Sequence, residues 1–87
     1  MVRLLVFAIS PILWATEVGA DRYSDCNQSA DPDRSISGCT AIIQRGKREN
    51  QKNKAVAYWS RGNTYYLKRE VDKAIADYTQ AIKLNPE

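Results

Sequence analysis

The chain has 87 residues, with 13 Lys or Arg against 10 Asp or Glu, no His and two Cys, for a formal charge of +3. That length allows one small domain. Without His, neither His-based nucleophilic catalysis nor His acid–base chemistry is available, two Cys leave a zinc site short of ligands, and no Gly-rich phosphate loop is present, so no cofactor or metal is expected.

Residues 1–20 read as an export signal. Arg3 gives a positive start, Leu4 to Ala15 form an apolar run broken only by Ser10 and Pro11, and Val18-Gly19-Ala20 supplies the compact residues of a cleavage site. A spanning helix needs about 20 apolar residues. This run is shorter and Glu17 follows closely, which favours cleavage after Ala20 over an uncleaved anchor. Cys26 lacks the context of a lipid attachment site. The expected product is periplasmic or secreted, with no stable membrane insertion, and it keeps the charge of +3 because Arg3 and Glu17 leave together.

A chain this short buries only about 60% of its unfolded surface, so its core needs a crosslink or a neighbour. Cys26 and Cys39 both lie in the exported part. An even pair in an oxidising compartment favours a disulfide, which would contribute about 3 kcal/mol. The alternative is two independent small apolar residues.

Residues 21–31 are polar and unpatterned and read as a loop. The loop carries Asn27-Gln28-Ser29, a glycosylation acceptor pattern that matters only in a eukaryotic source. Asp31-Pro32 is a helix start, because Asp caps free amides and Pro suits the first helical position. Ile36, Cys39, Ile42 and Ile43 recur at helical spacing and Gly46 supplies a stop, which predicts a helix over 32–45. In residues 45–54, five of ten positions are basic and none is apolar. Such a stretch attracts nucleic acid or a lipid surface, but it lacks interleaved aromatics and the chain reads as exported. It is therefore expected to be a solvated linker that runs into the next helix, with no nucleic-acid partner.

Ala55, Tyr58, Trp59, Gly62, Tyr65 and Tyr66 share one broad helical face, which predicts a helix over about 54–67. After Lys68-Arg69-Glu70, Val71, Ala74, Ile75, Tyr78, Ala81 and Ile82 mark a second amphipathic helix over about 71–84. Asn85-Pro86 ends it. No segment alternates in the manner of a strand. The predicted fold is all-α, in three parts: signal helix 1–20, a Cys-containing helix with its basic linker in 21–54, and a helical hairpin in 55–87.

The hairpin resembles the tetratricopeptide repeat family, built from 34-residue helix–turn–helix units. With Ala55 as the first repeat position, Tyr58 falls on the fourth, usually aromatic, site, Gly62 on the eighth, where the helices cross closely, and Tyr65 on the eleventh. Ala74 and Ala81 take the small-residue sites, Tyr78 the core-plug site and Pro86 the terminating site. Two residues depart from the pattern: Arg61 stands where an apolar side chain is customary, and Arg69 sits in a turn that usually carries Gly. The segment Asp33 to Ile43 echoes Asp72 to Ile82 at an offset of 39, so residues 32–45 read as the second helix of a degenerate half repeat, with Cys39 in the place of Tyr78. The layout is similar to that of small exported bacterial proteins with such repeats.

The resemblance implies a non-catalytic protein-interaction module. The first helix of a repeat would line a groove for a protein partner, here with Val56, Trp59, Asn63, Tyr66 and Leu67. Some members hold a terminal carboxylate with Lys and Asn. Asn63 matches, but Trp59 replaces the Lys, so no such clamp is expected and the aromatics would act as apolar anchors. The bland reading is a groove wall that contacts the next helix. Asp72 and Asp77 are five apart on a helix, do not converge, and are expected to face water. Stacked repeats bury a shared core, and one repeat cannot bury its own apolar face. The last helix is therefore expected to leave a face uncovered, suited to self-association. The alternative to an independent module is a truncated remnant, or an assembly subunit that stacks on a longer repeat protein.

Overall fold

The computed structural model describes residues 22–86, and the proposed export signal lies outside them. Four helices follow one another: α1 Arg22–Cys26, α2 Pro32–Ile43, α3 Gln51–Leu67 and α4 Val71–Leu84, with a 3-10 turn at Gly46–Arg48. There is no strand among the described residues. Each helix packs mainly on its neighbours in the chain, α1 on α2, α2 on α3 and α3 on α4.

The helices begin where side chains satisfy free amides. Asp31 accepts from the Arg34 N–H at 3.2 Å, with Pro32 at the first position of α2. Asn50 accepts from the Asn53 N–H at 2.7 Å and opens α3 at Gln51, ahead of the expected start near 54. Apolar spacing from Ala55 gave no sign of that polar first turn. Helix α2 stops at Ile43 rather than 45, because the chain tightens: the Arg45 N–H reaches the Ile42 carbonyl at 3.1 Å, and Gly46, at φ 58°, turns it into the 3-10 segment.

The α3–α4 turn is a Schellman motif. The Glu70 N–H bonds to the Tyr65 carbonyl and the Arg69 N–H to the Tyr66 carbonyl, each at 2.9 Å. Arg69 takes the left-handed position at φ 65°, where a side chain costs of order 1 kcal/mol against Gly.

The expected loop at 21–31 is in part the helix α1. Five residues are too few to show a period, and contacts with α2 hold them. Cys26 and Cys39 form a disulfide across a separation of 13. Both lie in a core with Ile42 and Ala57, packed by Ile43. Gly38 makes the approach possible: a Cβ there would come within 2.7 Å of the Cys26 nitrogen and 2.8 Å of the Arg22 carbonyl oxygen. The Ser35 hydroxyl donates to the Cys26 carbonyl at 3.1 Å and lies 3.2 Å from that of Thr64, so the buried polar groups of α1, α2 and α3 satisfy one another. In the connecting loop, the Gln28 amide donates to the carbonyls of Asp25 and Asp31.

Two charged residues depart from expectation. Asp77 does not face water; it is 5% exposed and accepts from Arg61 Nε at 2.7 Å and Nη2 at 2.8 Å. Arg61 Nη1 also donates to Thr40 at 2.9 Å, so the guanidinium joins α2, α3 and α4. The bidentate bond to Asp77 raises the Arg61 pKa, against a smaller opposing effect of burial. Nor is the basic linker simply solvated. Glu49 is buried there and accepts from Tyr23 at 2.7 Å, Asn53 at 2.6 Å and Arg45 at 2.8 Å. Those bonds, Tyr23 first and Asn53 next, hold its carboxyl below the ordinary carboxylate range.

Removing one partner of a buried pair leaves a charge unpaired, so Asp77→Ala is expected to lower stability by about 3 kcal/mol in thermal or urea unfolding. The double variant Arg61→Met/Asp77→Leu is expected to recover most of that loss; equal damage in both variants would mean that the bond to Thr40 matters more than the pairing. Because the folded pKa of Glu49 lies below its unfolded value, its contribution is full above the ordinary carboxylate range and is lost as pH falls toward the folded value. Unfolding midpoints of the wild type and Glu49→Gln should therefore differ at neutral pH and converge in acid.

Candidate functional site

Close approach of α3 and α4 requires small residues where the helices cross. Gly62 lies there, and a Cβ on it would meet the Tyr78 ring at 2.8 and 2.9 Å and the Ala74 carbonyl at 3.3 Å. Ala74, 1% exposed, and Ala81 line the other side of the contact. Tyr78 is half-buried, and its hydroxyl donates to the Asn63 side-chain carbonyl, which fixes the amide. Tyr58 and Tyr65 are half-buried beside the Arg61 guanidinium, with ring centroids 5.5 and 5.9 Å from its central carbon. These aromatic rings flank the guanidinium on the α3 side.

The apolar residues of α4 separate by size. The small ones, Ala74 and Ala81, face α3, while Val71, Ile75 and Ile82 stand 48%, 56% and 64% exposed. The spacing of these residues revealed the helix, but size decided which of them could fit the crossing. On α3, Val56, Trp59, Tyr66 and Leu67 are likewise exposed, with Trp59 at 57% and Leu67 at 71%. They follow one another at helical spacing and lie along one stripe. Of the five residues assigned to a groove from sequence, four present open apolar surface, while Asn63 is half-buried and engaged by Tyr78.

The stripes of the two helices meet at the start of α3 and the end of α4. Ala55, Val56 and Trp59 there face Ala81, Ile82, Asn85 and Pro86 across an open groove of about 300 Å³. Pro86 therefore both follows the end of α4 and forms one wall of this groove. Exposed apolar surface gathered in this way marks an interaction face. Among the described residues, no cluster of three or more His, Cys, Asp or Glu could hold a metal ion, and no helix is long and apolar enough to cross a membrane.

Comparison with known families agrees with this geometry. Residues 55–87 match the Tetratricopeptide repeat family, and the α3–α4 hairpin is a repeat of that type. The match begins at Ala55, the residue that the spacing of Tyr58, Gly62 and Tyr65 sets as the first repeat position. No curated protein and no solved structure shows significant similarity to the chain.

The crossing at Gly62 is directly testable. Ala favours a helix by about 1 kcal/mol over Gly, yet overpacking at a tight contact costs about 1–3 kcal/mol. Gly62→Ala is expected to lower the unfolding midpoint because the Tyr78 ring, tethered to Asn63, stands in the way. A raised midpoint would show that the ring moves aside freely.

Proposed function

We propose that the tetratricopeptide repeat of this chain is a docking module for a protein partner, in an exported, non-catalytic protein. The observation that carries this reading is the division of α4 by size: Ala74 and Ala81 hold the hairpin together, while Val71, Ile75 and Ile82 are left outside with Val56, Trp59, Tyr66 and Leu67. Burying a large aliphatic side chain is worth about 1.5–3 kcal/mol. A partner that covers this face therefore gains burial that the hairpin leaves unused. Trp59 is the natural anchor, since it is large, rigid and beside the groove to Ile82 and Pro86. The apolar start of the chain, Leu4 to Ala15, supports export to a periplasmic or extracellular compartment. The Cys26–Cys39 disulfide suits such a compartment. The absence of His from the sequence and the lack of convergent carboxylates in the hairpin support a role without catalysis.

The same face suits either an extended or helical segment of another protein, or the first helix of a further repeat stacked on α4. The exposed stripe Val71, Ile75 and Ile82 favours the stacking mode, and the Trp59 groove favours the segment.

Photo-crosslinking separates this face from the rest of the surface. A benzophenone side chain at Trp59 or Ile82 should give a discrete adduct in the exported fraction of the source cells, and one at exposed Ser37 on α2 should give none. Trp59→Ala, with helix content retained by circular dichroism, should abolish the Ile82 adduct. Adducts of equal yield at all three positions would defeat the assignment.

A further inference from the structure

A second surface lies on the opposite part of the chain and is independent of the docking face. Arg22 of α1, Ala41 and Gln44 at the end of α2, and Arg45 and Arg48 around the 3-10 turn line an open cleft of about 380 Å³. Three arginines from two separate stretches of sequence thus line one cleft, and among the described residues no carboxylate lines it. The nearest acid in the turn, Glu49, already accepts from Tyr23, Arg45 and Asn53. Arg22 and Arg48 have no carboxylate partner among the described residues.

The end of a helix favours cations, which gives Arg45 and Arg48 an ordinary reason to follow α2. That reason does not extend to Arg22, which opens a helix of its own. Arg22 is brought beside the others because the Cys26–Cys39 bond and the close contact at Gly38 press α1 onto α2. The fold therefore gathers three like charges against one counter-charge, Glu49, which pairs with Arg45 alone, and the unbalanced pair repels when empty. We infer that this cleft binds a phosphate-bearing anion, held by Arg22, Arg48 and the outward part of Arg45, with Gln44 as a neutral donor. Arg suits this task because its planar fork meets two phosphate oxygens at once. The volume lies within the range of small-ligand sites and accepts a diphosphate or a lipid headgroup.

The test uses the full chain and two probes: inorganic pyrophosphate followed by calorimetry, and phosphatidylglycerol vesicles followed by co-sedimentation against phosphatidylcholine vesicles. Saturable binding of either probe is expected, weakened about tenfold by Arg22→Gln or by Arg48→Gln. Lys52→Gln, which removes a cation of the same basic stretch outside the cleft, should change affinity less than about twofold. Unchanged thermal unfolding of each variant keeps the comparison clean. Pyrophosphate binding that responds to the Arg variants identifies a soluble phosphate compound as the ligand. A response confined to phosphatidylglycerol vesicles identifies a headgroup. Equal losses in all three variants would reduce the cleft to general charge attraction and overturn the inference, as would the absence of saturable binding to both probes.

Discussion

A guanidinium lies at the junction of three helices where an apolar side chain would ordinarily pack. Arg61 grips both oxygens of Asp77 on α4, reaches Thr40 on α2 and is flanked by the rings of Tyr58 and Tyr65 on its own helix. Each contact constrains a different degree of freedom. The bond to Asp77 fixes the rotation of α4 about its axis, which sends Ala74 and Ala81 inward and Val71, Ile75 and Ile82 outward. The bond to Thr40 ties the hairpin to the preceding helix. A buried pair of this kind is weak as a source of stability, because desolvation opposes attraction. Here its geometric consequence matters more, since it holds α4 in the orientation that small residues at the crossing also favour.

The parts of this arrangement that were legible in the sequence are those that repeat or punctuate. The spacing of Tyr58, Gly62 and Tyr65 on α3, and of Ala74, Tyr78 and Ala81 on α4, gave the hairpin and its register, and the same residues carry the resemblance that the family match bears out. Asp31-Pro32 gave the start of α2, and the two cysteines gave the crosslink. What escaped depends on pairs remote in sequence. Arg61 and Asp77 are 16 apart and Tyr23 and Glu49 are 26 apart, and no local pattern distinguishes a buried partner from a solvated charge. Helix α1 escaped for a related reason. A helix of five residues carries no period, and an isolated one is unstable in water. Its order comes from α2, through Gly38 and the disulfide.

The division of α4 by residue size shows how stability and interaction draw on one helix. Small residues permit the close crossing at Gly62, but they bury little area. The larger side chains, which would bury more, are excluded from the crossing by the same closeness. The hairpin is therefore held by contact and hydrogen bonding more than by apolar mass, and most of its apolar mass remains available to something else. A repeat that bound its large residues internally would be steadier alone and would have less surface to offer a partner.

Cys26 and Cys39 precede Tyr65 and Tyr78 by the same 39 positions. One covalent bond thus stands, in the first layer of the molecule, at the sites that a pair of aromatic residues holds in the second. The two layers answer to different conditions as a result. The integrity of α3 and α4 is a matter of temperature and solvent, because nothing covalent joins them. The seating of α1 depends also on electrons: a dithiol that reached the core would leave its five residues to the bonds from Tyr23 to Glu49 and from Ser35 to the Cys26 carbonyl. The chain's architecture thereby joins an end that carries a redox-sensitive crosslink to an end that carries none.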